Sequence, residues 1–346
     1  MKKILIVSTV VPFVLGGGEL IVDWLDETLK KYGYKSDVIK IPFRSCPPDM
    51  LEQMLALRLL DVGERADTLI AIRTPSYLIR HPNKVVWFIH HHRGAYDLWG
   101  TPYQDIPGTL EGLRIKESIV RSDNVFLREA KKIYTNSRVV SHRLKKFNDI
   151  SSEVLYPPLM NPEEYRNDGY GDYIFYPSRL THHKRQYLAI EAMKYTQSGV
   201  RLVTAGHPES PAYLQQLEST VLKNNLSDKV KIISRWITHE EKIELFSNSL
   251  ACAYIPFDED SYGYVSLEAF HSRKSVITCN DSGGTLEIVE DGVNGFIAQP
   301  EPMAIAECFD RLFLNNKLAE RMGHAGYDRV LDMDISWDHV VEKLVK

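Results

Sequence analysis

The chain has 346 residues, of which 44% are hydrophobic and 25% charged, with a formal net charge of −4. That length suits two domains with a sizeable core, and the composition excludes a disordered or fibrous protein and gives no overall basic surface for nucleic acid. The cysteines form no CxxC pair and no metal-ligand spacing. They are therefore expected to be reduced thiols of a cytoplasmic protein: Cys46, Cys252, Cys279 and Cys308.

Charge is unevenly distributed along the chain. Residues 1–160 contain 23 Lys and Arg against 18 Asp and Glu, a balance of about +5, whereas the remaining residues carry about −9. This asymmetry favours two domains with different partners.

The N-terminus imitates a signal peptide, because two lysines precede an apolar run from Ile4 to Leu15. Polar residues and a proline interrupt that run, no A-x-A site follows it, and three glycines lead into an amphipathic segment. A buried strand, a glycine turn and a helix are therefore predicted here. No apolar run reaches the ~18 residues that a membrane-spanning helix needs.

Short apolar segments alternate with helical patterns along the chain, which predicts parallel sheets covered by helices on both faces. The predicted strands before a linker rich in Pro, Gly and acids at 157–172 are Ile4–Val7, Val38–Ile41, Thr68–Ile72, Val85–Ile89 and Lys132–Thr135. Those after it are Tyr173–Tyr176, Leu202–Ala205, Val230–Ser234, Cys252–Ile255, Val276–Cys279 and Gly295–Ala298. We predict an α/β protein with two Rossmann-like doubly wound domains, 1–156 and 173–335.

Ligands of doubly wound domains bind at the carboxyl ends of the strands, so two such domains predict a site in the cleft between them. The first candidate group follows the first strand and is Gly16, Gly17, Gly18 and Glu19. Glycines let a ligand approach the backbone, and N–H groups at a helix start attract anions, although a plain tight turn would look the same. The GxGxxG pattern that a nicotinamide-dependent oxidoreductase needs is missing.

Two further groups follow strands of the second half. Arg179 and Lys184 suit a diphosphate, which Arg binds as a fork and Lys as a point charge, unless they form a solvated basic turn. The segment from Asp258 to Glu268 has carboxylates that can accept paired hydrogen bonds from vicinal sugar hydroxyls, and Gly263 would let loop N–H groups approach a ligand. Acids near a helix N-terminus are also ordinary dipole-stabilising residues.

The fourth group is a run of histidines after a strand, His90, His91 and His92. A histidine at a strand end can donate to a substrate hydroxyl or transfer a proton, and a purely structural role is the alternative. An aromatic loop follows, suited to stacking on a sugar ring, to a lid or to packing: Tyr96, Trp99 and Tyr103.

Taken in order, these groups resemble the retaining, nucleotide-sugar-dependent glycosyltransferases of the glycosyltransferase family 4 type, which have the GT-B fold. The resemblance runs nearly end to end. It includes Gly17-Gly18-Glu19, Ser178-Arg179-Leu180-x-x-x-Lys184, a Glu-x7-Glu-like region ending at Glu268, Gly283-Gly284-x-x-Glu287, Asp291-Gly292-Val293-Asn294-Gly295 and Ser336-Trp337. The last pair would begin a C-terminal helix, 336–346, that crosses back to the first domain.

The resemblance implies a role for each group. Arg179 and Lys184 would neutralise the donor diphosphate and stabilise it as the leaving group. Glu268 would hold the ribose hydroxyls, and Asp260 would face the transferred sugar. His90 best matches the family's strand-end histidine, with His91 second. Further donor-binding residues would be Gly17, Gly18, Gly263, Tyr264 and Val265.

The chain departs from the family pattern in two places. Asp260 stands where the family has glutamate, and the adjacent Glu259 is out of register. The sugar contact would then be longer, water-mediated or redirected. The segment His271–Ser275 replaces a stretch that usually carries a glycine and a proline, which affects the expected local turn.

The sequence therefore predicts a metal-independent enzyme without a cofactor. It would move a hexose from a nucleotide diphosphate sugar to a hydroxyl of a saccharide or lipid-linked acceptor, with retention at the anomeric carbon. A catalytically weak nucleotide-sugar-binding subunit of a partner transferase is the alternative, which Asp260 supports. Basic residues of the first half predict contact with an anionic membrane at the inner face of the plasma membrane: Arg114, Lys116, Arg121, Arg128, Lys131 and Lys132.

Overall fold

The computed structural model describes residues 1–13, 16–44, 49–101 and 103–346. The chain divides into two compact units, unit 1 with residues 1–158 and 336–346 and unit 2 with residues 159–335. Two of the residues considered above, Leu15 and Cys46, lie outside the described residues. The other three cysteines are buried free thiols: Cys252, Cys279 and Cys308.

Unit 1 is built on a six-stranded parallel sheet. Its strands are β1 (Lys3–Val10), β2 (Lys35–Pro42), β3 (Thr68–Ala71), β4 (Lys84–Phe88), β5 (Lys132–Thr135) and β6 (Glu153–Val154), and its first four helices are α1 (Gly17–Lys31), α2 (Met50–Leu59), α3 (Leu110–Phe126) and α4 (Arg138–Asn148). The strands lie in the order β2-β1-β3-β4-β5-β6. The chain thus changes direction across the sheet between β1 and β3.

The alternation of side chains along β1 explains why both faces of this sheet are covered. Leu5 and Val7 pack into one buried cluster with side chains of α2 and α3, whereas Ile4 and Ile6 pack into a second cluster with α1. Both faces of a parallel strand are thereby buried, which is why it reads as a continuous apolar run.

Unit 2 repeats this architecture. Its strands are β7 (Tyr173–Pro177), β8 (Arg201–Ala205), β9 (Val230–Ile233), β10 (Ala251–Ala253), β11 (Val276–Cys279) and β12 (Gly295–Ala298), and its helices are α5 (Gln186–Ala192), α6 (Pro211–Lys223), α7 (His239–Ser247), α8 (Tyr264–His271), α9 (Pro302–Phe313) and α10 (Asn316–Asp332). The order β12-β11-β10-β7-β8-β9 puts the change of direction between β7 and β10. The predicted doubly wound α/β class is confirmed.

The C-terminal helix α11 (Trp337–Val345) belongs to unit 1. Leu344 is buried in the same cluster as Ile6, and the Tyr134 hydroxyl donates to the Lys343 carbonyl at 3.0 Å. The last residues of the chain therefore complete the core of the unit that holds its first residues.

Several element boundaries differ from the predictions. β1 and β2 are longer than expected because they pair over eight residues, and β6, which carries little apolar character, was missed. β10 ends at Ala253, two residues earlier than predicted, because the chain there enters the loop that follows the strand. The helical pattern of residues 110–147 is interrupted: α3 ends at Phe126, and a three-residue 3-10 turn follows it before β5.

A buried lysine holds the segment 159–172 onto unit 2. Lys274 Nζ donates to Asn167 Oδ1 at 2.7 Å and to the Gly169 carbonyl, and lies 4.3 Å from the centroid of the Tyr170 ring. Burial lowers the pKa of this ammonium to about 7. The predicted linker residues thus pack as an ordered part of unit 2. Among the described helices, none has both the length and the apolar character needed to cross a bilayer.

We expect Leu344→Ala to destabilise unit 1 by roughly 2–5 kcal/mol, because it leaves a cavity in a closed core. Leu331→Ala is the matched control, since Leu331 is 59% exposed on α10 whereas Leu344 is 1% exposed. Urea denaturation followed by circular dichroism would measure both. Equal midpoints for the two variants would contradict the packing of α11 described here.

Candidate functional site

Three loops meet at the carboxyl edge of the unit 2 sheet, next to its switch point between β7 and β10. Doubly wound sheets bind their ligands at such points. Gly283, in the loop after β11, has a φ of +62°, and a Cβ there would lie 2.4 Å from the Glu259 carbonyl oxygen in the loop after β10. The Gly284 N–H donates to that same carbonyl at 2.8 Å. Glycines at 283 and 284 therefore allow a backbone approach that no side chain would permit.

Lys184 lies at this switch point and is almost fully buried. Its Nζ donates to the Tyr254 hydroxyl at 2.8 Å and forms an ion pair with Glu259. Burial acts to raise the pKa of the Glu259 carboxyl, but the charge of Lys184 outweighs burial and holds that pKa below its usual value. Glu259, which does not align with the family's glutamate, is thus the acid that binds Lys184. The half-buried Asp260, which does align with it, follows in the same loop.

Arg179 differs from Lys184 in its surroundings. Its side chain is exposed, and within the described residues its guanidinium forms no ion pair. Its charge nevertheless reaches Tyr254: burial raises the pKa of that phenol, and Arg179 partly offsets the rise. Of the two predicted cations, Lys184 is therefore buried and paired, whereas Arg179 is open to solvent.

Arg185 ties this turn to two other loops. Its guanidinium forms a bidentate pair with Asp281 at 2.7 and 2.8 Å, and donates to the carbonyls of Ile255 at 2.7 Å and Pro256 at 2.8 Å. Burial acts to lower the pKa of Arg185, and Asp281 more than compensates. Sequence analysis assigned Arg185 no role, yet it positions Lys184, its immediate neighbour.

Glu268 lies in the second turn of α8 and is 5% exposed. Its Oε1 accepts a hydrogen bond from the Tyr165 hydroxyl at 3.0 Å and an ion-pair hydrogen bond from Lys242 Nζ. Burial raises the pKa of Tyr165 strongly, and the negative charge of Glu268 adds to the rise. The predicted ribose-binding carboxylate is therefore held by a linker tyrosine and by a lysine of α7.

The turn before α8 requires glycine at position 263. Gly263 has a φ of +70°, and a Cβ there would lie 2.4 Å from the Tyr254 ring. The half-buried Tyr264 and Val265 open α8 directly after it. Because the first N–H groups of a helix have no partner within that helix, this turn can supply donors to an anionic or hydroxyl-bearing ligand.

In unit 1, the predicted glycine turn opens α1 at the carboxyl end of β1. Glu19, in the first turn of α1, is buried and forms an ion pair with Arg73, which follows β3. A Cβ on Gly18 would lie 3.3 Å from the Arg73 side chain, whereas Gly17 is exposed. The small residue at 18 thus gives room to Arg73, a residue that sequence analysis missed because nothing near it repeats a known pattern.

The three histidines after β4 have three different environments. His91 is buried against Phe88 and Tyr96, and its Nε2 lies 2.8 Å from Asn148 Oδ1. His92 Nε2 lies 3.4 Å from Asp105 Oδ1. His91 is therefore a core residue, which leaves His90 as the better candidate for contact with a ligand.

His90 is half-buried and donates from Nδ1 to the His91 carbonyl at 2.7 Å. Burial lowers the pKa of His90 to about 4, and the nearby charge of Arg73 contributes to this shift. The imidazole is therefore neutral at pH 7, with its proton on Nδ1. Its Nε2 is then a hydrogen-bond acceptor suited to a hydroxyl group.

A buried polar network holds the histidine loop in place. The Tyr96 hydroxyl donates to Asp123 Oδ2 at 2.6 Å and accepts from Asn148 Nδ2 at 3.2 Å, and Asn148 also contacts His91. Tyr77 donates to the other oxygen of Asp123, whose pKa burial raises to about 6. Tyr96 thus has a packing role rather than the stacking role left open above.

Two adjacent histidines after β7, His182 and His183, contact different neighbours. His182 packs on Tyr213 with ring centroids 4.3 Å apart, and His183 Nδ1 lies 3.2 Å from the Thr181 hydroxyl. Within residues 1–13, 16–44, 49–101 and 103–346, no group of three His, Cys, Asp or Glu side chains is arranged to hold a metal ion.

We expect NMR titration of the imidazole groups to give midpoints of about 4 for His90 and His91, because burial lowers the pKa of His91 to about 4 as well. Both values lie below the ~6.5 of an unfolded chain, so the unfolded state binds more protons in acid. Stability should therefore fall as the pH drops from about 6.5 towards 4. The spectra of His90→Gln and His91→Gln assign the signals, and midpoints above 6 would refute the buried placement.

A protein-family model matches part of the chain. Residues 161–329 match the model of the glycosyl transferases group 1 family. Human alpha-1,3/1,6-mannosyltransferase ALG2 is 28% identical over 215 residues, which is 56% of this chain and 51% of ALG2. The chain thus spans about half the length, or less, of these curated relatives.

Two solved structures superpose on nearly the whole chain. Sucrose-phosphate synthase from Thermosynechococcus elongatus has a TM-score of 0.77 at 17% identity, covering 99% of this chain and 97% of its own. HepE from Anabaena, in complex with UDP and glucose, has a TM-score of 0.72 at 17% identity, covering 99% of both chains. The predicted GT-B fold is confirmed. Residues 161–329 are thus similar to the glycosyl transferases group 1 family, and the chain has the GT-B fold.

Proposed function

We propose that this protein is a retaining glycosyltransferase that moves a hexose from a nucleotide diphosphate sugar to a hydroxyl of a saccharide or lipid-linked acceptor. The observation that carries the proposal is the pair of cations at the unit 2 switch point, Lys184 buried and Arg179 exposed. This pair lies inside the segment that matches the glycosyl transferases group 1 model. A buried, hydrogen-bonded lysine and an exposed, forked arginine at the same turn form a suitable receptor for a diphosphate.

The chemistry needs stabilisation of charge on the leaving group. The bond between the anomeric carbon and the β-phosphate oxygen breaks while an acceptor oxygen bonds to that carbon. Negative charge builds on the departing diphosphate, and its freed β-phosphate oxygen would take the proton that the acceptor hydroxyl gives up. Lys184 is already oriented by Tyr254 and Glu259, so little reorganisation is required when that charge develops. The exposed Arg179 adds a second cation at the same edge of the sheet.

The remaining predicted residues would bind the ribose and the transferred sugar, which lie on either side of the donor diphosphate. Glu268 would accept hydrogen bonds from the ribose hydroxyls, and the turn at Gly263 would supply N–H groups to the sugar or phosphate. His90, neutral and with Nε2 as an acceptor, would bind a hydroxyl of the transferred sugar. Asp260 would contact that sugar from the loop after β10.

The relatives support this substrate class. HepE was solved with UDP and glucose, and ALG2 is a mannosyltransferase. We propose that the reaction needs no metal ion, since Arg179 and Lys184 would supply the charge that balances the diphosphate.

We expect Arg179→Ala and Lys184→Ala each to reduce transfer or donor hydrolysis by about 10²–10³-fold, because each removes a cation from the leaving group. The assay is mass spectrometry of UDP-, GDP- and ADP-hexoses incubated with saccharide acceptors in EDTA. NMR of the product would establish its anomeric configuration.

Arg201→Ala is the matched control, since Arg201 is an exposed arginine that pairs with Asp172 at the opposite end of the sheet. Full activity in Arg179→Ala would overturn the assignment. Tight nucleotide-sugar binding by the wild type without turnover over the whole acceptor panel would favour a binding subunit instead. Loss of all activity in EDTA, restored by a divalent cation, would disprove metal independence.

We also propose a peripheral contact of unit 1 with anionic membrane, through one face of α3. Its exposed members recur at helical spacing and combine two basic and three apolar side chains with one acid: Leu110, Leu113, Arg114, Glu117, Arg121 and Val125. Such a face would hold the chain near a lipid-linked acceptor.

We expect binding to vesicles of anionic phosphatidylglycerol at low salt, and a several-fold weaker binding for the double variant Arg114→Glu, Arg121→Glu. Co-sedimentation measures both. The control reverses the same number of charges on unit 2, at Lys223 and Arg201. Binding that both double variants lose equally, or no binding by the wild type, would contradict the proposal.

A further inference from the structure

The buried carboxylate of Glu268 is bound at only one of its two oxygens. Oε1 accepts from both the Tyr165 hydroxyl and Lys242 Nζ, whereas Oε2 accepts no hydrogen bond from any described residue. A carboxylate has about four lone-pair positions, so two donors on one oxygen leave the other available. The asymmetry between the two oxygens arises because both donor side chains, Tyr165 and Lys242, approach Oε1.

Both donors are themselves held in place. Lys242 lies in the first turn of α7, which a capping box of Thr238 and Glu241 starts. Tyr165 is 6% exposed, and its ring packs edge-on against His239 and Phe246 at centroid distances of 5.7 and 6.4 Å. The two donors therefore converge from α7 and from the segment before β7, and the Tyr165 ring cannot swing away without disturbing its packing.

The charge of Glu268 requires such a partner. Besides Tyr165, two other buried groups, Cys252 and Tyr264, have pKa values that burial raises and that the negative charge of Glu268 raises further. Lys242 is the cation that the described residues place against this carboxylate. A buried carboxylate without a counter-charge is costly, and Lys242 supplies that counter-charge to Glu268.

We propose that Lys242 and Tyr165 are positioning residues of the donor site: they bind Glu268 Oε1 and thereby present Oε2 to the vicinal hydroxyls of the donor ribose. This inference rests on the proposed function and adds residues that the motifs of the chain do not include. If it is correct, the protein's preference for ribose over deoxyribose nucleotides depends on Lys242 of α7 and on Tyr165 of the segment before β7, because both side chains act through Glu268.

The test compares ribose with 2′,3′-dideoxyribose probes. UDP, GDP and ADP, and their 2′,3′-dideoxy forms, are titrated by calorimetry into the wild type, Lys242→Met, Lys242→Arg and Tyr165→Phe. We expect Lys242→Met to weaken binding of the ribonucleotide about tenfold, because the variant loses one charge-assisted hydrogen bond to the Glu268 carboxylate. Binding of the dideoxy form should be unaffected. Tyr165→Phe should act in the same direction but less strongly, and Lys242→Arg should restore most of the affinity.

Lys229→Met is the matched structural control. Lys229 is also half-buried and hydrogen-bonded, but its Nζ donates to the Thr196 hydroxyl at 3.0 Å, next to the amino end of β9. We expect this variant to keep the ratio of ribose to dideoxyribose affinity of the wild type. A melting temperature for each variant separates loss of folding from loss of positioning.

The outcomes are distinguishable. If Lys242→Met and Tyr165→Phe weaken both forms of the nucleotide equally, the two residues have only a structural role and the inference is wrong. If Lys242→Met fails to fold, Tyr165→Phe, which removes a single oxygen, decides alone. If the wild type binds none of the six nucleotides, the proposed function itself fails, and the inference with it.

Discussion

The buried fork of Arg185 is the interaction on which the candidate donor site most depends. It links the turn after β7 to the ends of β10 and β11, through the Ile255 and Pro256 carbonyls and through Asp281. The planar guanidinium can satisfy all these acceptors at once, which a lysine could not do. Since Arg185 follows Lys184 directly, the position of the buried ammonium is set by backbone that the fork holds in place.

The candidate donor site of unit 2 and the histidine region of unit 1 differ in how their buried polar groups are satisfied. At the candidate donor site, the buried charged groups are paired: Lys184 with Glu259, Arg185 with Asp281 and Lys242 with Glu268. In the histidine region of unit 1 the network is built mainly of groups that are neutral at pH 7, with His91, Asn148 and Tyr96 leading to Asp123. Pairing suits a region proposed to bind a charged diphosphate, whereas a neutral network suits one proposed to bind sugar hydroxyls.

Particular residues show what reading the sequence can and cannot select. Arg179, Lys184 and Glu268 were predicted as donor-site residues because a family resemblance fixes their spacing, and these roles stay predictions. Glu259 was set aside because the same spacing selects Asp260, yet Glu259 is the acid that meets Lys184. Among the histidines, spacing could not distinguish His90 from His91, because both follow the same strand and only packing against Phe88 and Tyr96 removes one from consideration.

By itself, the sequence determined the class of fold and the candidate cations, because these depend on local patterns: apolar periodicity, strand ends, glycine turns and residues a few positions apart. Only the tertiary structure decided the partners of those cations and carboxylates. Lys184 and Tyr254 are 70 residues apart in the chain, and Tyr165 and Glu268 are 103 apart. Such pairs meet because β7 and β10 are neighbours in the sheet and because helices pack across it, and no local pattern encodes which side chains then come within hydrogen-bonding distance.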